Sequence, residues 1–209
     1  MKRFFKTLYR GIKKNPLNSA INLFGLTLGF SCIITITIWI QNELSYDTFH
    51  DNSDKIYRVH RYFYNPDGSE NLHLSNVAPT VAPILEKELK EIESITRVKH
   101  TGFTFRSDNK LYREEEVCFA EPEILEIFNF EGLPLDDHLL EDPLTMVISD
   151  EQAMKYFNRL DVIGEVISFY SQDGQKQDLK IVGVFEKWNQ NSHFHPEFLI
   201  SFITYESFV

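Results

Sequence analysis

No acidic residue precedes Glu43, and no charge of either sign lies between Lys14 and Glu43, an interval of 28 residues. The first absence leaves Lys2, Arg3, Lys6, Arg10, Lys13 and Lys14 as an unopposed basic start. The second leaves a run too apolar for the surface helix of a soluble protein. Its innermost stretch, Ala20 to Ile40, has 21 residues; at about 1.5 Å per residue it covers roughly 30 Å, the hydrocarbon thickness of a bilayer. A cleavage site of the A-x-A kind is also missing, because the run ends Ile38-Trp39-Ile40-Gln41-Asn42-Glu43-Leu44. That ending, and an apolar region longer than the about 7 to 15 residues of a signal peptide, argue against removal. Gly29-Phe30-Ser31 is a poor lead-in for lipid attachment at Cys32. A buried helix would not explain the one-sided charge. The reading is a transmembrane helix over 17–42 with its basic flank in the cytoplasm and everything from Glu43 onward delivered across the membrane.

Cysteine is scarce as well, with Cys32 inside the span and Cys118 beyond it, so no disulfide framework is expected. The sequence contains no G-x-x-x-x-G-K-[ST] phosphate loop, no G-x-S-x-G elbow, no H-E-x-x-H helix and no paired C-x-x-C. Nucleotide hydrolysis by a phosphate loop and the usual hydrolase and zinc chemistries are thereby left without residues. His193-Phe194-His195 could turn two imidazoles to one face of a strand, but without a third ligand at a matching spacing it reads as an exposed loop leading to a strand. Glu114-Glu115-Glu116 reads as a solvated turn. No catalytic, cofactor-binding or metal-ligating residue is therefore assigned, and no cofactor or enzymatic activity is expected.

What is present divides into three parts. Residues 1–16 place Phe4, Phe5, Leu8, Tyr9 and Ile12 on one stripe of a basic amphipathic helix lying at the cytoplasmic membrane surface, ended by Asn15-Pro16. Residues 17–42 form the span. Residues 43–209 carry 15 basic against 31 acidic side chains, a balance that disfavours nucleic acid and anionic lipid as partners. Their 167 residues suffice for one domain or two small lobes.

Within that part, Glu43 to Asp54 is polar and turn-rich and reads as a connection. Ile56 to Tyr64 predicts a strand, Asn65-Pro66-Asp67-Gly68 a turn, and Leu72 to Leu74 the return strand. Pro79 to Leu89 is helical in pattern, with Pro83 tolerated in the first turn. Strands are expected over Ile95 to Phe105 and Glu116 to Ala120, around a turn at Ser107-Asp108-Asn109, and a short helix over Pro122 to Phe128. Leu144 to Ile148 is a further strand. Ser149 caps a helix from Asp150 to Phe157, with Gln152 at the capping-box position. Val166 to Tyr170 and Leu179 to Phe185 form a second hairpin around residues 171–175. The irregular alternation of strands and short helices predicts an α+β fold, without repeats or low-complexity linkers.

Four stretches together resemble the FtsX-like permeases of MacB-type ABC transporters, in the branch whose ATPase is a separate polypeptide. The opening FFKTLYRGIKKNPLNSAINLFGLTLGFSCIITITIWIQNELSYDTFH is similar to the family's basic helix, first span and E-L-S-Y-D-x-F-H exit motif. IYRV follows at Ile56. MVISDEQAMKYFNRLDVIGEVI resembles the family's strand, helix and loop, with Asn158 where glycine is common and Val162 where proline is common. VGVFEKWNQNSHFHPEFLIS resembles the V-G-V-F-x-D and N-S-H-x-x-x-D-x-L-x-S pattern, with Glu197 where aspartate is usual.

The resemblance implies an N-terminal transmembrane helix followed by a MacB-like periplasmic core domain in the bacterial inner membrane. It also implies a cytoplasmic ATPase subunit and a second permease copy as partners, beside the lipid bilayer. Permeases of this kind continue into further spans, so the end at Ser207-Phe208-Val209 is expected to make this an N-terminal portion. The expected role is transmission of ATP-driven motion to the extracytoplasmic domain for efflux or extraction. A single-span sensor or protein-interaction module without transport is the alternative.

Overall fold

The computed structural model describes residues 9–10, 13–107, 110–134, 138–170, 176–188 and 191–207. It has two units, Met1–Thr48 and Phe49–Val209. In the first, helix α1 (Pro16–Leu44) runs for 29 residues with none buried, and it is long and apolar enough to cross a membrane. Pro16 occupies the first helical position, where its missing N–H costs nothing, and Asn15 before it leaves helical geometry at φ −133°. The chain therefore breaks where Asn15-Pro16 predicts. The hydroxyls of Thr27, Thr35 and Thr37 each donate to the carbonyl one turn back, at 2.8, 2.9 and 2.8 Å. Self-satisfied hydroxyls of this kind are tolerated in hydrocarbon. Tyr9, Arg10, Lys13 and Lys14 are helical; the rest of the expected amphipathic helix, 1–8 with 11 and 12, lies outside the described residues.

The second unit begins with the hairpin β1 (Arg61–Tyr64) and β2 (Glu70–Leu74). Its turn closes through Gly68 N–H to the Asn65 carbonyl at 2.9 Å, with Gly68 at φ +81°, a conformation glycine adopts without strain. The Asp67 carboxylate accepts from the Ser69 N–H and hydroxyl, which holds it below the usual carboxylate range. Pairing starts at Arg61, opposite Leu74, rather than at Ile56. The return strand ends at Leu74, so residues 56–60 have no ladder partner although their β propensity is high. Helix α2 (Val81–Glu88) follows.

The remaining strands close a six-stranded barrel. They are β3 (Val98–Ser107), β4 (Lys110–Ala120), β5 (Thr145–Ser149), β6 (Val166–Tyr170), β7 (Lys176–Phe185) and β8 (Phe198–Ser201), in the spatial order β3-β4-β8-β5-β7-β6. The pairs β4 with β8 and β5 with β7 are parallel and the others antiparallel. Between these strands lie α3 (Ile124–Ile127) and α4 (Asp150–Phe157), and α5 (Phe202–Glu206) follows β8. The fold is thus α+β, with a closure and parallel pairings that the sequence pattern did not anticipate. The expected turns at 108–109 and 171–175 lie outside the described residues, but the strands flanking each pair as antiparallel hairpins.

Strand alternation makes two cores. Val117 and Phe119, Met146 and Ile148, Phe198 and Ile200 point into the barrel with Phe105, Phe169, Leu179 and Ile181. Cys118 and Ala120, Val147 and Leu199 point outward beneath Ile124, Leu140, Phe128, Phe130 and Leu133. Residues buried on both faces explain the continuous apolar runs of β5 and β8. In β7 a bulge opposite Met146 and Val147 turns Phe185 to the outer core after Leu179 and Ile181 have faced inward. Burial pushes the Cys118 thiol up to about 12, which marks a packed and unreactive cysteine.

Helix α4 matches its predicted bounds because its caps are strong. The Ser149 hydroxyl accepts from Gln152 N–H at 3.3 Å, and Asn158 ends the helix in the left-handed region at φ 55° with its N–H on the Met154 carbonyl. Asparagine tolerates that conformation, which is why it serves where glycine is common. The capping box is only half made, since the Gln152 side chain donates to Glu197 instead.

The solvated turn expected at Glu114-Glu115-Glu116 is corrected: the three residues lie within β4. Register places Glu115 and Glu116 at a bulge beside Gly102, and alternation then turns Glu114 inward, 5% exposed. Its carboxylate accepts from Lys155 Nζ at 2.6 and 2.9 Å and from the Tyr156 hydroxyl at 2.8 Å. Burial first, and then the Glu114 hydrogen bond, raises the Tyr156 phenol well above its ordinary value. Removing the cation strands a buried carboxylate. Because Lys155 is itself 40% exposed, Lys155→Met is expected to lower the urea-unfolding free energy by about 1–2 kcal/mol, less than a fully buried pair would lose. Adding Glu114→Gln should recover at least half of that loss.

Candidate functional site

The first residues of the second unit are held in an aromatic cage. His50 is 2% exposed, with ring centroids of Phe49, Trp188 and Phe128 at 4.0, 4.8 and 5.0 Å. Trp188 also meets Phe130 at 4.4 Å and Phe194 at 5.7 Å, and Phe130 stands edge-on to Phe185 at 5.1 Å. The cage is therefore continuous with the outer core. Contacts of this geometry contribute about 0.5–1.5 kcal/mol each beyond area burial.

One residue ties the cage together. Asn129 donates its backbone N–H to His50 Nδ1 at 3.4 Å and its side-chain amide to Asp51 at 2.7 Å, while its carbonyl accepts from Trp188 Nε1 at 2.7 Å. Since Nδ1 is the acceptor, the His50 proton resides on Nε2. Asn129 is placed by the end of α3, where Phe128 N–H returns to the Ile124 carbonyl. The 131 carbonyl accepts from Glu186 N–H at 2.8 Å, and Gly132 at φ +88° lets the chain turn close against β7.

A polar knot adjoins the cage through the neighbouring residue Lys187. Its N–H donates to Asp150 Oδ1 at 3.0 Å, and its ammonium reaches Glu151 at 2.6 Å and Glu197 at 3.2 Å. Hydrogen bonding to Glu151 is the main cause that holds the ammonium above the usual lysine value; desolvation opposes it, and Glu197 adds to the rise. A raised value means that the contribution is complete below pH 10.5 and is lost only as pH rises beyond it. Glu197 also pins its strand, its carbonyl accepting from Ser149 N–H at 3.0 Å and its N–H donating to the Glu116 carbonyl at 2.9 Å. The longer glutamate reaches both Lys187 and Gln152, so the departure from aspartate is accommodated. Val162, standing where proline is common, is buried in the inner core.

Elsewhere, Arg97 is clamped by Glu121 and Glu206 over the Phe202 ring at 4.3 Å. The hydrogen bonds to Glu121 are the main reason its guanidinium is held above its ordinary value. Beside it, Ala82, Pro83, Glu86, Ile95 and Glu123 line a cavity of about 100 Å³, smaller than the roughly 300–1,000 Å³ typical of small-molecule sites. His193 and His195 fall in the loop before β8, where His195 Nδ1 lies 3.1 Å from the Ser192 carbonyl. Among the described residues no group of three or more His, Cys, Asp or Glu side chains is arranged to hold a metal ion.

Sequence reading took His50 as part of a polar connection and missed its burial. The available signal was a Phe-His pair inside a hydrophilic stretch, together with aromatic residues Phe128, Phe130, Trp188 and Phe194 in segments without strand periodicity. Trp188→Phe should remove the hydrogen bond to Asn129 at a cost of about 1 kcal/mol. Trp188→Ala should cost about 2–4 kcal/mol, because the half-buried indole leaves a gap among five rings. Chemical denaturation of the two variants checks both values.

The fold has counterparts among solved structures. A domain of a protein designated a permease, from Porphyromonas gingivalis, superposes with a TM-score of 0.57 at 26% identity, covering 69% of this chain and 61% of that one. The chain thus spans about three fifths of that structure. The periplasmic region of MacB from Actinobacillus actinomycetemcomitans gives a TM-score of 0.48 at 15% identity, with 69% and 64% covered. The extracellular domain of the ABC-type transporter YknZ from Gram-positive bacteria gives 0.47 at 12%, with 71% and 74% covered. No curated protein matches the chain. Residues 19–209 match the model of the MacB-like periplasmic core domain, and the chain belongs to that family.

Proposed function

We propose that this chain is the N-terminal part of a permease subunit of a MacB-type ABC transporter. In this reading α1 crosses the bacterial inner membrane, residues 1–16 lie on the cytoplasmic side, and 43–209 form the periplasmic domain. The family match over 19–209 carries the proposal. The His50 cage supports a mechanical role, because the chain enters the rigid barrel domain only six residues after α1 ends.

Motion of α1 would pass along 45–49 into the ring stack, and from Asn129 and Trp188 into α3 and β7. Packed rings and short hydrogen bonds transmit displacement because a close-packed interior compresses little. Asn18, Asn22, Gly25 and Gly29 share one face of α1, which supports packing against further helices or a second permease copy. A separate cytoplasmic ATPase subunit supplies the energy. The chain itself catalyses nothing in this scheme; its work is efflux or extraction driven from the other side of the membrane.

The test is to reconstitute the permease with its ATPase and place a spin label at Asp67→Cys in each copy. ATP should change the label separation in the parent protein. His50→Ala should leave ATP hydrolysis within about twofold while abolishing most of that change. An unaltered ATP response in His50→Ala would contradict transmission through the cage.

A further inference from the structure

Two histidines on the β1–β2 hairpin face each other. His60 Nδ1 lies 3.0 Å from His73 Nε2, and both rings are exposed. Register places Tyr62 directly opposite His73, and His60, one residue before the ladder begins, reaches the same imidazole. The His73 ring is stacked on Tyr62 at 4.1 Å with an interplanar angle of 8°, and Tyr62 in turn stacks with Tyr64 at 6.4 Å. Arg61 points to the other face, its guanidinium over Phe63 at 4.8 Å. The nearest cation in the strand is thus turned away from the pair.

Such a pair is more than a hydrogen bond. At metal–nitrogen distances of about 2.0–2.1 Å, donors 3.0 Å apart subtend roughly a right angle at an ion, the cis relation found in square-planar and octahedral coordination. The turn from Asn65 to Ser69, closed by three side-chain hydrogen bonds of 2.6–2.9 Å, fixes the two strands and so limits the entropy lost on chelation. Four of the other five histidines are engaged differently: His50 in its cage, His100 with Glu116, His138 with Glu141 and His195 with the Ser192 carbonyl.

We infer that His60 and His73 form a two-imidazole chelate for a divalent d-block cation, Ni²⁺ at the angle observed and Zn²⁺ with the pair opened toward the tetrahedral angle. Imidazole nitrogen selects these ions over Mg²⁺ and Ca²⁺, which prefer oxygen. The remaining coordination positions are open to water. The ligands lie 13 positions apart, which hid the pair from any spacing motif, since only the hairpin brings them together. This inference does not depend on the transport reading.

The test is calorimetric titration of the detergent-solubilised chain with ZnCl₂ and NiCl₂, with MgCl₂ for comparison. One Zn²⁺ or Ni²⁺ per chain is expected at this site, with no comparable Mg²⁺ binding. His60→Ala and His73→Ala should each weaken it at least 10-fold, whereas a His193→Ala/His195→Ala variant should leave it unchanged. Because the imidazoles are exposed, near-UV circular dichroism should show each variant folded. Absence of saturable Zn²⁺ and Ni²⁺ binding, or binding of equal strength in His60→Ala/His73→Ala, would overturn the assignment.

Discussion

Burial of β5, β8 and the end of β4, residues 117–120, on both faces is the constraint on which the rest of the domain depends. A six-stranded barrel fills its interior with one set of alternate side chains, and the opposite set of these three strands is equally apolar. That outer surface has to be covered. The segment from Glu121 to Leu133 does so with Ile124, Leu125, Phe128, Phe130 and Leu133, and its path around Gly132 is what brings Asn129 and two phenylalanines against Trp188. The cage is therefore a consequence of double-sided burial. Without the cover there would be no surface for Phe49 and His50 to enter.

The cage and the polar knot divide the work of holding the domain's start. Aromatic packing around His50 is non-directional, whereas Asn129 supplies direction through two donated bonds and one accepted bond. Lys187 and Trp188, adjacent in sequence, turn one into the knot with Glu151 and Glu197 and the other into the cage. Exposed ion pairs such as the knot's contribute little stability individually. Their role is to set the direction in which β7 continues beyond Phe185, and with it the position of the indole.

Much of the local structure was legible because local chemistry decides it. Ser149 with an N–H three residues on, and Asn158 at the left-handed end, fix α4 at both termini. Asn65-Pro66-Asp67-Gly68 fixes the first hairpin. Long-range pairing decides the rest. Nothing near β8 states that it joins β4 in parallel, so closure was invisible. Glu114 looked solvated because a triple glutamate is polar by composition, while its burial depends on a bulge at Gly102 and on Lys155 and Tyr156 of a helix some forty residues away. His50 was hidden in the same way, since its cage is assembled from residues 128–130, 188 and 194. The family resemblance was readable from four stretches, of which the opening one, the one around α4 and the one running on from β7 meet at the knot and the cage.

The central claim is that His50 and Trp188 are energetically coupled, so that the first residues of the second unit and the barrel behave as one body. A double-mutant cycle with His50→Ala and Trp188→Ala, read by chemical denaturation, measures that coupling directly. The account predicts a coupling free energy of about 1 kcal/mol or more, in keeping with packed aromatic pairs. Strict additivity of the two substitutions would mean that the rings are neighbours without being coupled, and mechanical entry through His50 would be contradicted.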